Sequence, residues 1–407
     1  MKAKINFNLS FFYLLFVLGI VYTISSPVLI EIGDDLGRNI SDTGLIFSFY
    51  FAGFISGSLL SSIITRYFNR KKLILFFIFL ITVSTFSVYF LFTYIFLLLM
   101  FFLTGISNGF IESQASILMI EVNRENEGLF VNLSQVFFGL GAFAGPLLPV
   151  AFIKTSMDWK YIYLTVSALC LIGFIFLALV KFPEYSKYSV SGYIKKPGTL
   201  YNIKEETSQG FKIKKNPVFI FLMLAMFFYV CAETGLATWI PTFLRLNKYF
   251  SPVLAGQVLS FFWLATFTGR ILTGFLTRKI KTANILLFSL VLTIFFLLAG
   301  TYLDSVFFVL ISFVMAGLFL SGIWPLIVTM GGIEYPSERN FIVSVIILSG
   351  GVGGLSAHWF LRWILNNFNL FTAFNFNYIF LFFSAVVIFF IYFKKKKDRL
   401  ENIRNRV

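Results

Sequence analysis

Charge is scarce in this 407-residue sequence: 13% of its residues are Asp, Glu, Lys or Arg, where a soluble globular chain carries roughly 25%. With 58% hydrophobic residues and a mean hydropathy of +0.87, it has too little polar surface to cover a particle in water. That excludes a soluble enzyme. Two cysteines, Cys170 and Cys231, both lie inside apolar runs, which excludes a disulfide framework. A single histidine, His358, excludes a Cys/His zinc cluster. No glycine is followed directly by lysine, so the chain holds no P-loop and no ATP-driven pump. No cofactor is expected, and no catalysis.

What the sequence does have is long apolar runs and 57 phenylalanines. Crossing the hydrocarbon takes about 20 apolar residues as a helix, whereas a membrane barrel would show segments of about 10 residues alternating in polarity. The runs here are continuous and long, which predicts an all-α integral membrane protein. Twelve spans are expected at roughly 9–32, 43–66, 72–92, 95–120, 128–153, 160–182, 217–244, 252–277, 283–302, 305–332, 340–365 and 371–393. The N-terminal run is too long for a cleaved signal peptide and reads as an uncleaved first span.

The 33 Lys and Arg against 18 Asp and Glu could suggest a nucleic-acid partner, but their placement argues otherwise. With the N-terminus in the cytoplasm, 26 basic residues fall on the inner side and six on the outer, as the positive-inside rule asks of a multi-pass protein of the cell membrane with both termini cytoplasmic. The acidic turn at Glu121, Arg124, Glu125 and Glu127 runs against that trend. Four segments are expected: an N-terminal six-helix half over 1–182, a cytoplasmic linker over 183–216, a C-terminal six-helix half over 217–393, and a basic cytoplasmic tail over 394–407. Lipids are the expected surroundings, no nucleic acid is expected, and the chain is taken as a monomer.

The halves repeat at an offset of 212 residues. Arg66 meets Arg278, Gly105 meets Gly317, and Gly139 and Gly141 meet Gly351 and Gly353. Two six-helix halves arranged as parallel repeats about a central cavity describe the major facilitator architecture.

Ionised side chains at the bilayer centre cost about 2.5–3.5 kcal/mol or more, which makes them candidates for function. Four ionisable residues fall inside spans: Glu112, Glu233, Arg270 and His358. Glu112 shares a helical face with Gly105, Asn108 and Ser116. Burial would favour its neutral, proton-holding form; the alternative is a structural partner for an arginine. Glu233 in span 7 and Arg270 in span 8 are either an ion pair within one half or ligand contacts. His358 is either a proton relay or a packing residue. Asn132 and Gln135 share a face with Gly139 in span 5. With Asn108, Glu233, Trp263 and Trp324, these amides and aromatics suit a neutral polyhydroxyl ligand. Gly105-Ile-Ser107-Asn-Gly109 matches a hydrolase elbow on paper, but lies mid-span and reads as a small-residue packing face. The basic turn Arg66 to Lys72 and its counterpart at Arg278 are degraded versions of a facilitator loop motif. Arg66 stands where Asp is expected, so the Asp-based lock between halves is not expected here.

With these residues placed, the sequence resembles the fucose/glucose-type sugar–proton symporter family of the major facilitator superfamily, and within it the glucose/mannose symporters of bacilli. The resemblance rests on Gly105 to Glu112, Asn132 to Gln135 leading into Gly139 and Gly141, Glu233-Thr234, Ser260 to Trp263, Gly269-Arg270 through Gly274, and Gly322 to Pro325. It implies that Glu112 couples protons to substrate. Fucose carriers of that family also use an Asp in span 1, and none lies between Leu9 and Ile30. The expected function is proton-coupled uptake of a hexose such as glucose or mannose by alternating access. The alternatives are a drug or metabolite–proton antiporter, suggested by the partial motif Gly141-x-x-x-Gly145-Pro146, and a non-transporting membrane sensor.

Overall fold

In the computed structural model, residues 2–65, 67–90, 93–155, 157–182, 217–335 and 339–404 are described, and no strand occurs among them. Arg66 and the linker at 183–216 lie outside the described residues. Among the described residues, twelve helices are long and apolar enough to cross a membrane: α1 Ile5–Leu36, α2 Ile40–Ile64, α3 Arg70–Val88, α4 Tyr94–Val122, α5 Leu129–Lys154, α6 Lys160–Leu179, α7 Pro217–Asn247, α8 Pro252–Leu276, α9 Thr282–Tyr302, α10 Val306–Glu334, α11 Ile342–Asn367 and α12 Leu370–Lys394. Each end falls within four residues of the sequence expectation. The last helix runs on to Arg404, so the segment read as a basic tail is helical over most of its length. In hydrocarbon every backbone amide and carbonyl must be satisfied within the protein, and an unbroken helix does this without a partner.

Four of the twelve are nevertheless interrupted, each at small residues or proline; in α2 the break is at Gly44, between Ile40–Thr43 and Leu45–Ile64. α1 stops at Thr23, turns through Ser26–Val28 and resumes at Leu29, because Pro27 offers no amide and crowds the preceding turn. α5 breaks at Gly145-Pro146, and α10 breaks at Ser321-Gly322. Thr23 Oγ1 donates to the Gly19 carbonyl at 3.1 Å and across to the Ala142 carbonyl of α5 at 3.2 Å.

The chain clusters into two compact units. The first holds residues 1–199 with Ala237–Leu264 and Leu365–Asn367; the second holds 200–236, 265–364 and 368–407. Within the first, α2 lies against α4 through glycines. A β-carbon at Gly53 or Gly57 would overlap the backbone of Phe102 or Ile106, and one at Gly105 or Gly109 would overlap that of Tyr50 or Phe54. The G-x-x-x-G reading of Gly105 and Gly109 is the observed one. Within the second unit, Gly269 of α8 meets the backbone of Leu318 in α10. Gly57 against Ile106 and Gly269 against Leu318 are the same contact displaced by 212 residues. Gly141 of α5 against Phe16 of α1, and Gly353 of α11 against Phe227 of α7, repeat a second contact to within one residue.

Stacked rings fill the gaps between these close approaches. Phe77 and Phe110 stack at 4.0 Å between α3 and α4, and Phe12 and Phe137 at 4.8 Å between α1 and α5. Many other phenylalanines, Phe76, Phe288 and Phe307 among them, are exposed on the apolar exterior.

The sequence pattern places Glu121 in an acidic turn. The structure corrects this: Glu121 belongs to the last turn of α4 and lies 2.6 Å from Arg70 at the start of α3, whose side chain is only 2% exposed. Arg70 is buried at the end of two apolar helices and needs a countercharge, which α4 supplies. Two residues after Glu121, Asn123 exchanges amide hydrogen bonds at 3.1 Å with Asn8 of α1.

Gly105→Val is expected to lower the thermal midpoint of the detergent-purified protein sharply, since overpacking costs about 1–3 kcal/mol. Gly274→Ala, where an added β-carbon meets nothing within 4 Å, leaves it unchanged or slightly raised. Differential scanning fluorimetry compares the two; equal midpoints would mean that the α2–α4 contact does not depend on glycine.

Candidate functional site

Beside the break in α1 lies a small cavity, with room for about one water molecule, lined by Tyr22, Ser25, Ser26, Phe47, Tyr50, Phe51, Phe101 and Thr238 among others. All of these belong to the first compact unit. The chemistry is mixed: five aromatic rings and a row of hydroxyls. Ser25 and Tyr163 share a hydrogen bond at 2.8 Å, and Ser26 Oγ donates to the Thr238 carbonyl at 2.5 Å. The Tyr22 ring is the hub of the wall. It stands edge-on to Trp263 at 5.7 Å and lies 6.1 Å from both Tyr50 and Phe138.

Asn108 joins this wall from α4. Fully buried, it donates from Nδ2 to the Tyr50 hydroxyl at 2.5 Å. Its Oδ1 has no hydrogen-bond partner among the described residues, and neither has Nε1 of the buried Trp263. Buried polar atoms are normally paired, so one unfilled acceptor and one unfilled donor on a single connected wall suit a neutral polar ligand. Glu112 follows Asn108 by one helical turn, is half-buried, and its carboxylate is near enough to act electrostatically on the Tyr50 hydroxyl. Asn108, Glu112 and Trp263 are therefore linked through Tyr50 and Tyr22. On α5, Gln135 is half-buried and Asn132 is exposed.

The remaining candidates lie in the second unit. Glu233 accepts from the Tyr229 hydroxyl at 2.7 Å, and its carboxylate is 3.8 Å from the Arg270 guanidinium. The two lie across from one another as the ion-pair alternative requires, with Arg270 35% exposed and so still accessible. His358 is buried in α11 and Trp324 half-buried just past the break in α10. Arg278 is exposed, its guanidinium 5.5 Å from the Phe275 ring. Arg66 lies outside the described residues.

Tyr22, Tyr50, Ser25, Ser26 and Tyr229 are not among the residues that charge and amide patterning in the sequence singles out. A signal was present for some of them. Tyr229 precedes Glu233 by one helical turn, and the Ser-Ser-Pro run interrupts an otherwise continuous apolar helix.

A family model described as Major Facilitator Superfamily matches residues 11–304. The glucose/mannose transporter GlcP of Bacillus subtilis (strain 168) is 26% identical over 369 residues, covering 90% of this chain and 89% of that protein. A TsgA homolog from Buchnera aphidicola subsp. Baizongia pistaciae (strain Bp) is 23% identical over 362 residues, 87% of each. Among solved structures, a D-xylose-proton symporter aligns with a TM-score of 0.74 at 13% identity, over 95% of this chain and 96% of that one. The nucleoside transporter NupG aligns with a TM-score of 0.76 at 12% identity, over 95% and 98%. These two structures share the fold. With a family match across well over half of its length, this chain belongs to the major facilitator superfamily of membrane transporters.

Proposed function

We propose that this transporter imports a monosaccharide together with a proton, by alternating access in the cell membrane, with both termini cytoplasmic. The observation that carries the proposal is the connected wall running from Glu112 through Tyr50 and Asn108 to Tyr22 and Trp263. It sets a titratable carboxylate beside hydroxyl, amide and aromatic groups of the kind a sugar needs. The relation to GlcP, a glucose/mannose transporter by name, supports a hexose. Aromatic faces accept the C–H side of a pyranose, while amides and hydroxyls pair with its hydroxyl groups.

In this reading Glu112 takes a proton while the site faces outward, which removes a charge from the membrane interior, and releases it to the more alkaline cytoplasm. The membrane potential adds about 2.3 kcal/mol per charge per 100 mV, so the proton gradient takes the place of a cofactor. Asn108, Asn132, Gln135, Trp263, Glu233 and Trp324 are the proposed sugar contacts. Glu233 and Arg270 balance one another's charge in the second unit, with His358, Arg66 and Arg278 as further gating positions. The chain works as a monomer, with no catalytic step.

Glu112→Gln is expected to abolish uphill hexose accumulation in proteoliposomes while leaving counterflow of preloaded sugar intact. Accumulation at the parent level would remove Glu112 from coupling. Proton entry on adding hexose is the expected flux; proton exit on adding a lipophilic cation, or a response to nucleosides alone, would replace the sugar reading.

Trp263→Ala is expected to raise the KM of counterflow roughly tenfold, equivalent to about 1.4 kcal/mol of lost binding, with little change in maximal rate. An unchanged KM would take the indole out of the site. Glu233→Gln and Arg270→Gln each strand a charge and are expected to cost more stability than the double variant. Thermal midpoints of the three proteins check this, and additive losses would mean that the pair is not coupled.

A further inference from the structure

Beyond the cavity, α1 and α7 continue toward the 1–2 and 7–8 connections and meet there. Arg245 Nη2 lies 2.8 Å from Glu31 Oε1, and Nη1 donates to Glu31 Oε2 at 2.9 Å. Nη1 also donates to the Pro27 carbonyl at 3.1 Å. The guanidinium thus makes a two-pronged bond to a carboxylate, the geometry its planar fork matches. It also grips a carbonyl in the interrupted stretch of α1. The side chains of Arg245 and Glu31 are 14% and 28% exposed, shielded enough to hold yet close enough to water to rehydrate when parted.

Other contacts tie the same ends together. Ser26 Oγ donates to the Thr238 carbonyl at 2.5 Å. The Trp239 ring covers Gly44 of α2 so closely that a β-carbon there would lie 2.7 Å from it. The Ser41 hydroxyl donates to Asn366 Oδ1 at 2.5 Å. Every one of these residues falls in the first compact unit, which is why Ala237–Leu264 and Leu365–Asn367 group with the first six helices. The order along both helices is instructive. Cavity-lining Ser25, Ser26 and Thr238 come first, and the Glu31–Arg245 bond lies one to two turns further toward the same end.

We infer that Arg245, with Glu31 and the Pro27 carbonyl, is a latch that closes α1 against α7 over the cavity, and that it must release each time the cavity takes substrate from the outer side. The inference rests on the proposed orientation and transport direction. Arginine suits a latch that cycles. Its fork gives a unique closed geometry, and both charges regain water on opening, so neither is left buried and alone. Lysine at this position keeps the charge but cannot bond both carboxylate oxygens and the carbonyl in one plane.

The test uses the full chain with Cys170→Ser, Cys231→Ser and a reporter Thr238→Cys, expressed in cells and exposed to a charged, membrane-impermeant maleimide. Labelling from outside is expected to be slow in this parent. It should be roughly tenfold faster with Glu31→Gln or Arg245→Gln, a shift of about 1.4 kcal/mol in the closed–open equilibrium. Arg245→Lys is expected to fall between them, and the exchanged pair Glu31→Arg with Arg245→Glu to label more slowly than either Gln variant. Parent-rate labelling in Gln variants that purify as a single monodisperse species overturns the latch. So does an exchanged pair that labels as fast as the Gln variants. Labelling only in inside-out vesicles overturns the outer placement. Because the readout needs neither sugar nor proton, failure of the monosaccharide reading would show separately, as absent hexose counterflow with the labelling pattern intact.

Discussion

A peptide group left unpaired in hydrocarbon costs several kcal/mol, and the arrangement of this protein follows from that cost. Twelve helices satisfy their own backbones, and the exceptions are confined to places where something else does the pairing. The interruption of α1 is the most consequential. Pro27 cannot continue the hydrogen-bond ladder, so the chain turns, and the polar groups of this region reach Tyr163, Thr238, Ala142 and Arg245 instead. The same interruption lies beside the cavity and supplies the carbonyl that Arg245 holds. One residue that breaks a helix thereby borders a cavity and offers a carbonyl to a neighbouring helix.

Close packing in a membrane gains nothing from excluding water, since lipid is as apolar as leucine. Approach distance has to be set by small residues. The α2–α4 pair shows this in its plainest form, with four glycines whose β-carbons would collide with the opposing backbone. That Gly57–Ile106 returns as Gly269–Leu318 means the repeat conserves a contact between helices as well as letters in a sequence. It also fixes where Asn108 and Glu112 stand. Both ride on α4, whose position against α2 is set by Gly105 and Gly109, and this brings Asn108 to Tyr50.

Charges inside the apolar helices are few, and several are compensated within their own unit. Arg70 has Glu121, Arg270 has Glu233 and Arg245 has Glu31. The first is the most buried and joins the ends of adjacent helices, a structural role. In the second the arginine is the most exposed of the three, at 35%, and the Tyr229 hydroxyl donates to one carboxylate oxygen. The third is partly shielded on both sides and joins helices from opposite halves of the sequence. The three pairs thus differ in shielding and in the helices they join.

Apolar run length determined the number of helices and their ends to within four residues, because hydrocarbon thickness and backbone pairing fix how long a spanning helix must be, and the offset of glycines and basic turns gave the two-fold repeat. It also isolated Glu112, Glu233 and Arg270, since an ionisable residue inside such a run is conspicuous whatever surrounds it. Tertiary structure decided which of them have partners. Glu121 looked like a loop charge until the end of α4 met the start of α3, and Glu31 and Arg245 are 214 residues apart with no pattern linking them. Tyr22 and Tyr50 were hidden among 57 phenylalanines and 18 tyrosines. A hydroxyl on an aromatic ring carries no period and no charge, and becomes a feature of a site only when packing brings an amide or a carboxylate within its reach.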